Sequence, residues 1–347
     1  MSTDALLVSV ADYPNADGAL RSLPGVAKDN ARVRDWIKQH APDVEMRDLC
    51  WPPGQDDPKE LFSASKVEDA VKVLAARATA QPRDRLFVYF SGHGLQKPTQ
   101  PAFPALYCAL HNRSMPDLFP SYFWLPALTV LPAYRQYLIF LDCCNDDQTD
   151  PLPVEPNVRL PLRSDADRPS VLVITAAQPN QQALEDANGG LFTSVLLEAM
   201  SGSAGAPDSD VVTAADVVNY VKEVVPIRAN AMSPGKTQLP REWHDEQHVP
   251  LKDFVLFHRS KVQGVAVGHL LDGRAPADIE VLTGALDPVG VVSVDAVTQQ
   301  PIVGGFYPGQ YVLRDRNDAN WLKAIRIRTP VDEAGKVTPL AEPVTLS

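Results

Sequence analysis

The stretch LFVYFSGHGLQ, Leu86 to Gln96, decides how the rest of the chain is read. Its apolar run continues without interruption and stops at Ser91-Gly92-His93-Gly94. A short run of that kind, rich in aromatic and branched side chains, is the mark of a strand covered on both faces. YLIFL at 137–141 and VLVIT at 171–175 share the texture, and DALLVSV at 4–10 reads as another buried strand. Segments of helical period lie among them. Residues 26–39 place Val33, Trp36 and Ile37 on one face. Residues 65–79 do the same with Val67, Val71, Leu74 and Ala78, and Ser63 or Ser65 can cap the start. A strand is expected at 44–50 and helices at 190–200 and 213–225. Apolar strands alternating with helices predict an α/β domain with a mainly parallel central sheet flanked by helices.

After about residue 255 the texture changes. VQGVAVGHLL, ADIEVLTG, GVVSVDA, FYPGQYVLR and LKAIRIRT are short strand-like runs separated by Gly, Pro and Asp, with no convincing helix. They predict a small all-β sandwich, immunoglobulin-like or prealbumin-like, over 256–347, with the α/β domain over 1–255. Residues 226–255 are read as the end of the first domain plus a connector.

The 347 residues carry a net charge of -11, from 32 Lys and Arg against 43 Asp and Glu. That balance argues against nucleic acid or an anionic membrane as the main partner. No signal peptide or membrane span is expected. Four cysteines are too few for a disulfide framework at this length, so a reducing, cytoplasmic setting is expected. Cys50 and Cys108 are expected to be buried, inert thiols.

In a parallel sheet, ligands bind at the carboxyl ends of the strands. LFVYF ends at Ser91-Gly92-His93-Gly94, and YLIFL ends at Asp142-Cys143-Cys144. Were the two strands parallel neighbours, His93 would meet a cysteine at one edge. A thiolate is the nucleophile a neutral thiol is not, and an adjacent imidazole generates it and later protonates the leaving group. Gly94 can offer an unobstructed N–H. With the N–H of the nucleophile, it could hold an oxyanion, each such donor being worth on the order of 3 kcal/mol of barrier. Gly-His-Gly alone is more often a tight turn than an active site, and Cys-Cys alone is more often core packing than catalysis. The conjunction points to a His-Cys dyad.

As a set, these motifs resemble the caspase-like cysteine peptidases, nearest the bacterial metacaspase type. VYFSGHG is similar to the family's histidine motif, and LIFLDCCND to its Asp-x-Cys motif, with Cys144 in the nucleophile position and Cys143 as the rival. The separation of about 50 residues between His93 and Cys144 also resembles the caspase spacing. LPGVAKDNA at 23–31 resembles an early Asn-Asp-Ala segment, with Asp29 as its acid. VLVITAAQPNQQALEDANGGLFTSVLLEAM resembles the strand, loop and helix after the nucleophile. TQLP at 237–240 resembles a late Gln-x-Pro element.

The resemblance implies a cysteine endopeptidase acting on protein substrates. Asp29 and Asp142 would line the first specificity pocket and select Arg or Lys before the scissile bond. The proline-rich segment 145–170 would be a maturation loop, cut after Arg159 or Arg163 by the enzyme itself or by an activating protease. The resemblance further implies a role in a bacterial signalling or defence cascade, regulatory protein partners, and calcium dependence in some members, although no EF-hand pattern is present. No cofactor and no bound metal are expected. Asn145-Asp146-Asp147 departs from the His-Ser-Gly common in the family. The alternative is therefore a catalytically inactive caspase-like scaffold that binds partners.

Two near misses are set aside. SPGKT at 233–237 lacks the first glycine of a phosphate loop and a strand to feed it. HDEQH at 244–248 has no third ligand and a misplaced acid for a zinc site.

Overall fold

The computed structural model describes residues 1–16, 20–51, 63–95, 103–112, 114–129, 133–144, 169–179, 181–186, 189–206, 209–243, 249–259, 261–283, 286, 288–328 and 340–343. The chain forms β1 (Thr3–Val10), α1 (Val26–His40), β2 (Glu45–Trp51), α2 (Ala64–Ala80), β3 (Arg83–Gly92), β4 (Gly94–Leu95), β5 (Ala105–Tyr107), β6 (Leu118–Phe119), α3 (Ser121–Thr129), β7 (Tyr134–Cys143) and β8 (Ser170–Thr175). Then come β9 (Glu185–Asp186), β10 (Gly189–Gly190), α4 (Leu191–Glu198), a π turn (Ala199–Ser203), β11 (Val211–Thr213), α5 (Ala214–Met232) and β12 (Arg241–Trp243).

Six of these strands make one sheet in the order β12-β8-β7-β3-β1-β2. β2, β1, β3, β7 and β8 are mutually parallel, and only β12 runs antiparallel. The continuous apolar runs explain the sheet's interior. In β3 every residue from Arg85 to Gly92 is buried, and in β7 every residue from Tyr137 to Cys143. β2 lies at the edge, which is why Cys50, expected to be buried, is only half-buried there. Strand order reverses direction at β1: the chain steps to β2 on one side and returns to β3 on the other. A crevice opens at the carboxyl ends beside such a reversal.

Three local features differ from the sequence reading. Ser63 takes the position before α2, but the capping bond comes from far away, the Ala64 N–H donating to Asp117 Oδ1 at 3.0 Å. α5 does not stop at residue 225 but continues through Pro226 to Met232. Val221, Val225 and Ala229, four apart and fully buried, hold that helix past a residue that removes one of its bonds. The small sheet β4-β5-β6 and helix α3 fill a region in which no elements were expected.

The chain divides into two compact units, residues 1–197 with 221–254, and residues 198–220 with 255–347. The second therefore takes in a segment upstream of the boundary expected near 255. β11 explains it, pairing antiparallel with β13 (Val255–His258). The other strands of this unit are β14 (Val265–Ala266), β15 (Ile279–Leu282), β16 (Pro288–Val291), β17 (Ser293–Val294), β18 (Pro301–Val303), β19 (Gly309–Asp315), β20 (Asp318–Arg328) and β21 (Leu340–Pro343). They form an antiparallel sheet β16-β15-β19-β20-β21 and a smaller one, β14-β18-β17. β19 alternates buried and half-buried residues, as a strand with one covered face does. Val265 and Val303 share one core with Ile279, Val281, Leu313 and Ile325.

Candidate active site

The ends of β3 and β7 bring the two sequence motifs together. Their parallel register sets Ser91 beside Asp142 and Gly92 beside Cys143. The next residues, His93 and Cys144, therefore leave neighbouring strands at the same edge. Gly94 passes close over the second strand's end. A Cβ there would lie 2.6 Å from the Cys144 carbonyl oxygen and 2.8 Å from Cys143 Sγ. Only glycine permits that approach.

His93 is held from two directions. Its backbone N–H donates to Tyr13 Oη at 2.7 Å, and the phenol ring lies 5.0 Å from the imidazole, centroid to centroid. Its Nε2 lies 2.9 Å from the Arg21 carbonyl oxygen. A carbonyl can only accept, so Nε2 carries the ring proton and Nδ1 of the neutral ring carries the lone pair.

The two cysteines occupy different environments. Cys143 belongs to the hydrophobic core, and burial pushes its thiol well above the ordinary range. Cys144 is half-buried and lines a cleft at this edge. A thiol kept neutral by burial is a poor nucleophile, so the environment favours Cys144 over its neighbour. The Tyr107 N–H donates to the His93 carbonyl at 3.0 Å where β5 pairs with β4. Successive residues of an antiparallel ladder turn their N–H groups to opposite sides, which directs the Gly94 N–H away from β5.

The same cleft has an acidic floor. Asp29 and Asp142 both line it, although they lie far apart in sequence. A lone acid in a helix is normally exposed, yet Asp29 is 1% exposed and Asp142 only 6%. The Gly190 N–H donates to Asp29 Oδ2 at 2.6 Å, and Arg32 reaches Asp29 Oδ1 at 3.3 Å. The Thr193 hydroxyl donates to Asp142 Oδ2 at 2.6 Å. With that proton committed, Tyr89 donates in turn to Thr193 Oγ1 at 2.8 Å. Burial raises both carboxyls above the usual carboxylate range, most strongly of all their surroundings. Gly189 sits over Asp29 with φ of 127°, a conformation natural only to glycine.

Several residues of the site escape a reading of motifs. Glu185 is a third acid in the cleft, half-buried and raised first by that burial, with Arg21 acting in the opposite sense. Thr193 and Tyr89 support Asp142 from the interior. Gln238 of the late Gln-x-Pro element is fully buried. It donates to the Ala176 carbonyl at 3.0 Å and accepts from the Leu184 N–H at 2.9 Å, so it holds the wall that carries Glu185. Tyr13 was the findable one. It follows β1, so the strand-end argument applied to His93 applies to it as well.

Arg159, Arg163 and Asn145-Asp146-Asp147 lie outside the described residues, as does HDEQH at 244–248. Among the described residues no group of three or more His, Cys, Asp or Glu side chains is placed to hold a metal ion. Among them, too, no helix is long and apolar enough to cross a membrane.

The structure is similar to the crystal structure of caspase-1 from Spodoptera frugiperda, at 16% identity and a TM-score of 0.45, over 70% of this chain and 85% of the other. It is also similar to a protein from Geobacter sulfurreducens, at 18% identity and a TM-score of 0.44, over 70% of this chain and 93% of that one. No curated protein matches the sequence. Residues 3–248 match the caspase domain, a family of cysteine peptidases, and the α/β fold with its mixed, mostly parallel sheet is the caspase-like one. The chain belongs to the caspase-domain family.

Proposed function

We propose that the protein is a cysteine endopeptidase that cuts protein chains after Arg or Lys with a His93–Cys144 dyad. The observation that carries this reading is the register of β3 and β7, which delivers both residues to one edge beside an acid-floored cleft. His93 Nδ1 takes the Cys144 proton, and Sγ attacks the scissile carbonyl carbon. Charge gathers on the carbonyl oxygen, where the Gly94 and Cys144 N–H groups receive it. The C–N bond then breaks as His93 returns the proton to the leaving amine, and a thioester remains. Water, deprotonated by His93, adds to the thioester, and the acid departs as the C–S bond breaks.

Asp29 and Asp142 receive the basic side chain through charge-assisted hydrogen bonds. Glu185 adds a third acid to the same cleft. Cleavage within 145–170 after Arg159 or Arg163 would be the activating step, and calcium, where it acts, would act on activation. Residues 256–347 would form the accessory β-sandwich, their two sheets sharing one core. A bacterial signalling or defence cascade is the setting that agrees best with the family.

The test compares cleavage of matched Arg, Lys and Asp peptides by the wild type and by Cys144→Ala, with and without calcium and after trimming of the loop. Arg and Lys peptides cut by the wild type alone are the expected result. An Asp peptide cut faster than its Arg counterpart would overturn the specificity. Equal inertness of both proteins would leave the inactive scaffold as the reading.

A further inference from the structure

The floor of the cleft gathers carboxyl groups faster than it gathers cations. From α1, Asp29 accepts from the Gly190 N–H at 2.6 Å and from Arg32 at 3.3 Å. Arg32 is itself 39% exposed and shares its charge with solvent. From β7, Asp142 accepts from the Thr193 hydroxyl, backed by the Tyr89 phenol from β3, and from the Thr193 backbone N–H, all neutral donors. From β9, Glu185 faces the same space, and Arg21, ahead of α1, partly offsets it. The two aspartates converge. A Cβ built on Gly190 would lie 2.6 Å from Asp142 Oδ2 and 3.1 Å from Asp29 Oδ2, so both oxygens reach for one point. Burial raises both acids. The charge of Asp142 raises Asp29 further, and that of Glu185 raises Asp142. Two buried carboxyls so placed repel each other as carboxylates, which disfavours the doubly ionised pair.

We propose that the empty cleft keeps one proton shared between Asp29 and Asp142, and that an incoming guanidinium or ammonium group expels it. Recognition of a basic side chain is then an exchange of a cation for a proton. The proton passes to solvent as the second carboxyl ionises, and no other bond changes. Two consequences follow. The site carries less charge repulsion when empty than two carboxylates would give it. Affinity for a basic residue rises with pH, about tenfold for each unit over which one proton is released.

This inference rests on the basic-residue reading above, and the experiment separates the two. The full chain with Cys144→Ala is titrated calorimetrically with acetyl-arginine methylamide, in phosphate and in Tris at the same neutral pH. The difference in heat between buffers counts the protons released. Release of about one proton per arginine is expected, with none for the isosteric citrulline compound. Asp29→Asn in the same background should lower that release toward zero. Arginine binding without proton release, or equal release by citrulline, would overturn the exchange and leave the basic specificity standing. Binding of the aspartate counterpart in place of arginine would overturn both.

Discussion

Gly94 lies against the end of the neighbouring strand, so close to Cys144 that a methyl group there would sit 2.6 Å from the Cys144 carbonyl oxygen. The contact involves backbone, which cannot swing aside as a long side chain can. Gly94→Ala should therefore displace the 143–144 segment or His93 by up to about 1 Å. Misplacement of reacting groups on that scale costs about 10²-fold in rate. The expected outcome is a fall of that order in kcat/KM on an Arg peptide, in a protein with near-native circular dichroism. Unchanged kinetics would contradict the contact.

Tyr13 positions His93 without touching substrate. Tyr13→Phe keeps the ring that packs on the imidazole and removes the oxygen that accepts the His93 N–H. A buried N–H left unsatisfied costs about 1–3 kcal/mol. Part of that cost should appear as stability and part as a loosened imidazole. A kcat roughly tenfold lower with KM little changed is expected, with slower alkylation of Cys144 by iodoacetamide as a readout that fold stability alone does not move.

The acid pair also makes stability depend on pH, and the sign follows from its direction. Burial raises the folded-state carboxyls above their usual 3.8. Over the range between, the folded chain binds more protons than the unfolded one, so stability falls as pH rises. Below the ordinary carboxylate range both states are protonated and the effect vanishes. Urea midpoints from about pH 5 to about pH 8 should decline for the wild type and decline less for Asp142→Asn, which cannot ionise. The same variant should lose activity on Arg and Lys peptides, since its amide cannot pair with a cation.

Glu185 should contribute to binding rather than to chemistry. It is half-buried and lines the cleft. Glu185→Gln is expected to raise KM for an Arg peptide about three- to tenfold with kcat nearly unchanged, the pattern of an interaction equal in ground and transition states. A kcat effect without a KM effect would place it elsewhere in the mechanism.

In the second unit, Arg259 holds chain segments together through carbonyls rather than carboxylates. Its Nη1 donates to the Gly202 and Pro308 carbonyls at 2.7 and 3.0 Å, its Nη2 donates to the Ser209 carbonyl at 2.7 Å, and its guanidinium lies over the Tyr307 ring. Arg259→Ala would strand several of these acceptors and should destabilise this unit by roughly 3–4 kcal/mol. Differential scanning calorimetry would read it as a lowered transition.

What could be read without a structure was local. Continuous apolar runs identified β1, β3, β7 and β8, because a strand covered on both faces leaves no place for polar residues. Strand ends flagged His93 and Cys144, because the sheet's geometry puts chemistry there. Where the reading stopped short, distant residues had decided the outcome. α2 is capped by Asp117, from well downstream. α5 passes Pro226 because its buried face outweighs one lost bond. The region around α3 carries a small sheet whose strands are too short for any periodicity.

The sequence by itself determined the α/β class, the two motifs and their order, since periodicity and strand-end chemistry are properties of short segments. Only the tertiary structure decided that Cys143 is core and Cys144 faces a cleft, that Asp29 is buried against Gly190, and that Glu185 joins the same floor. Those outcomes depend on strand register and on burial. A shift of one residue along a strand exchanges its two faces, and burial is set by chain that packs from elsewhere.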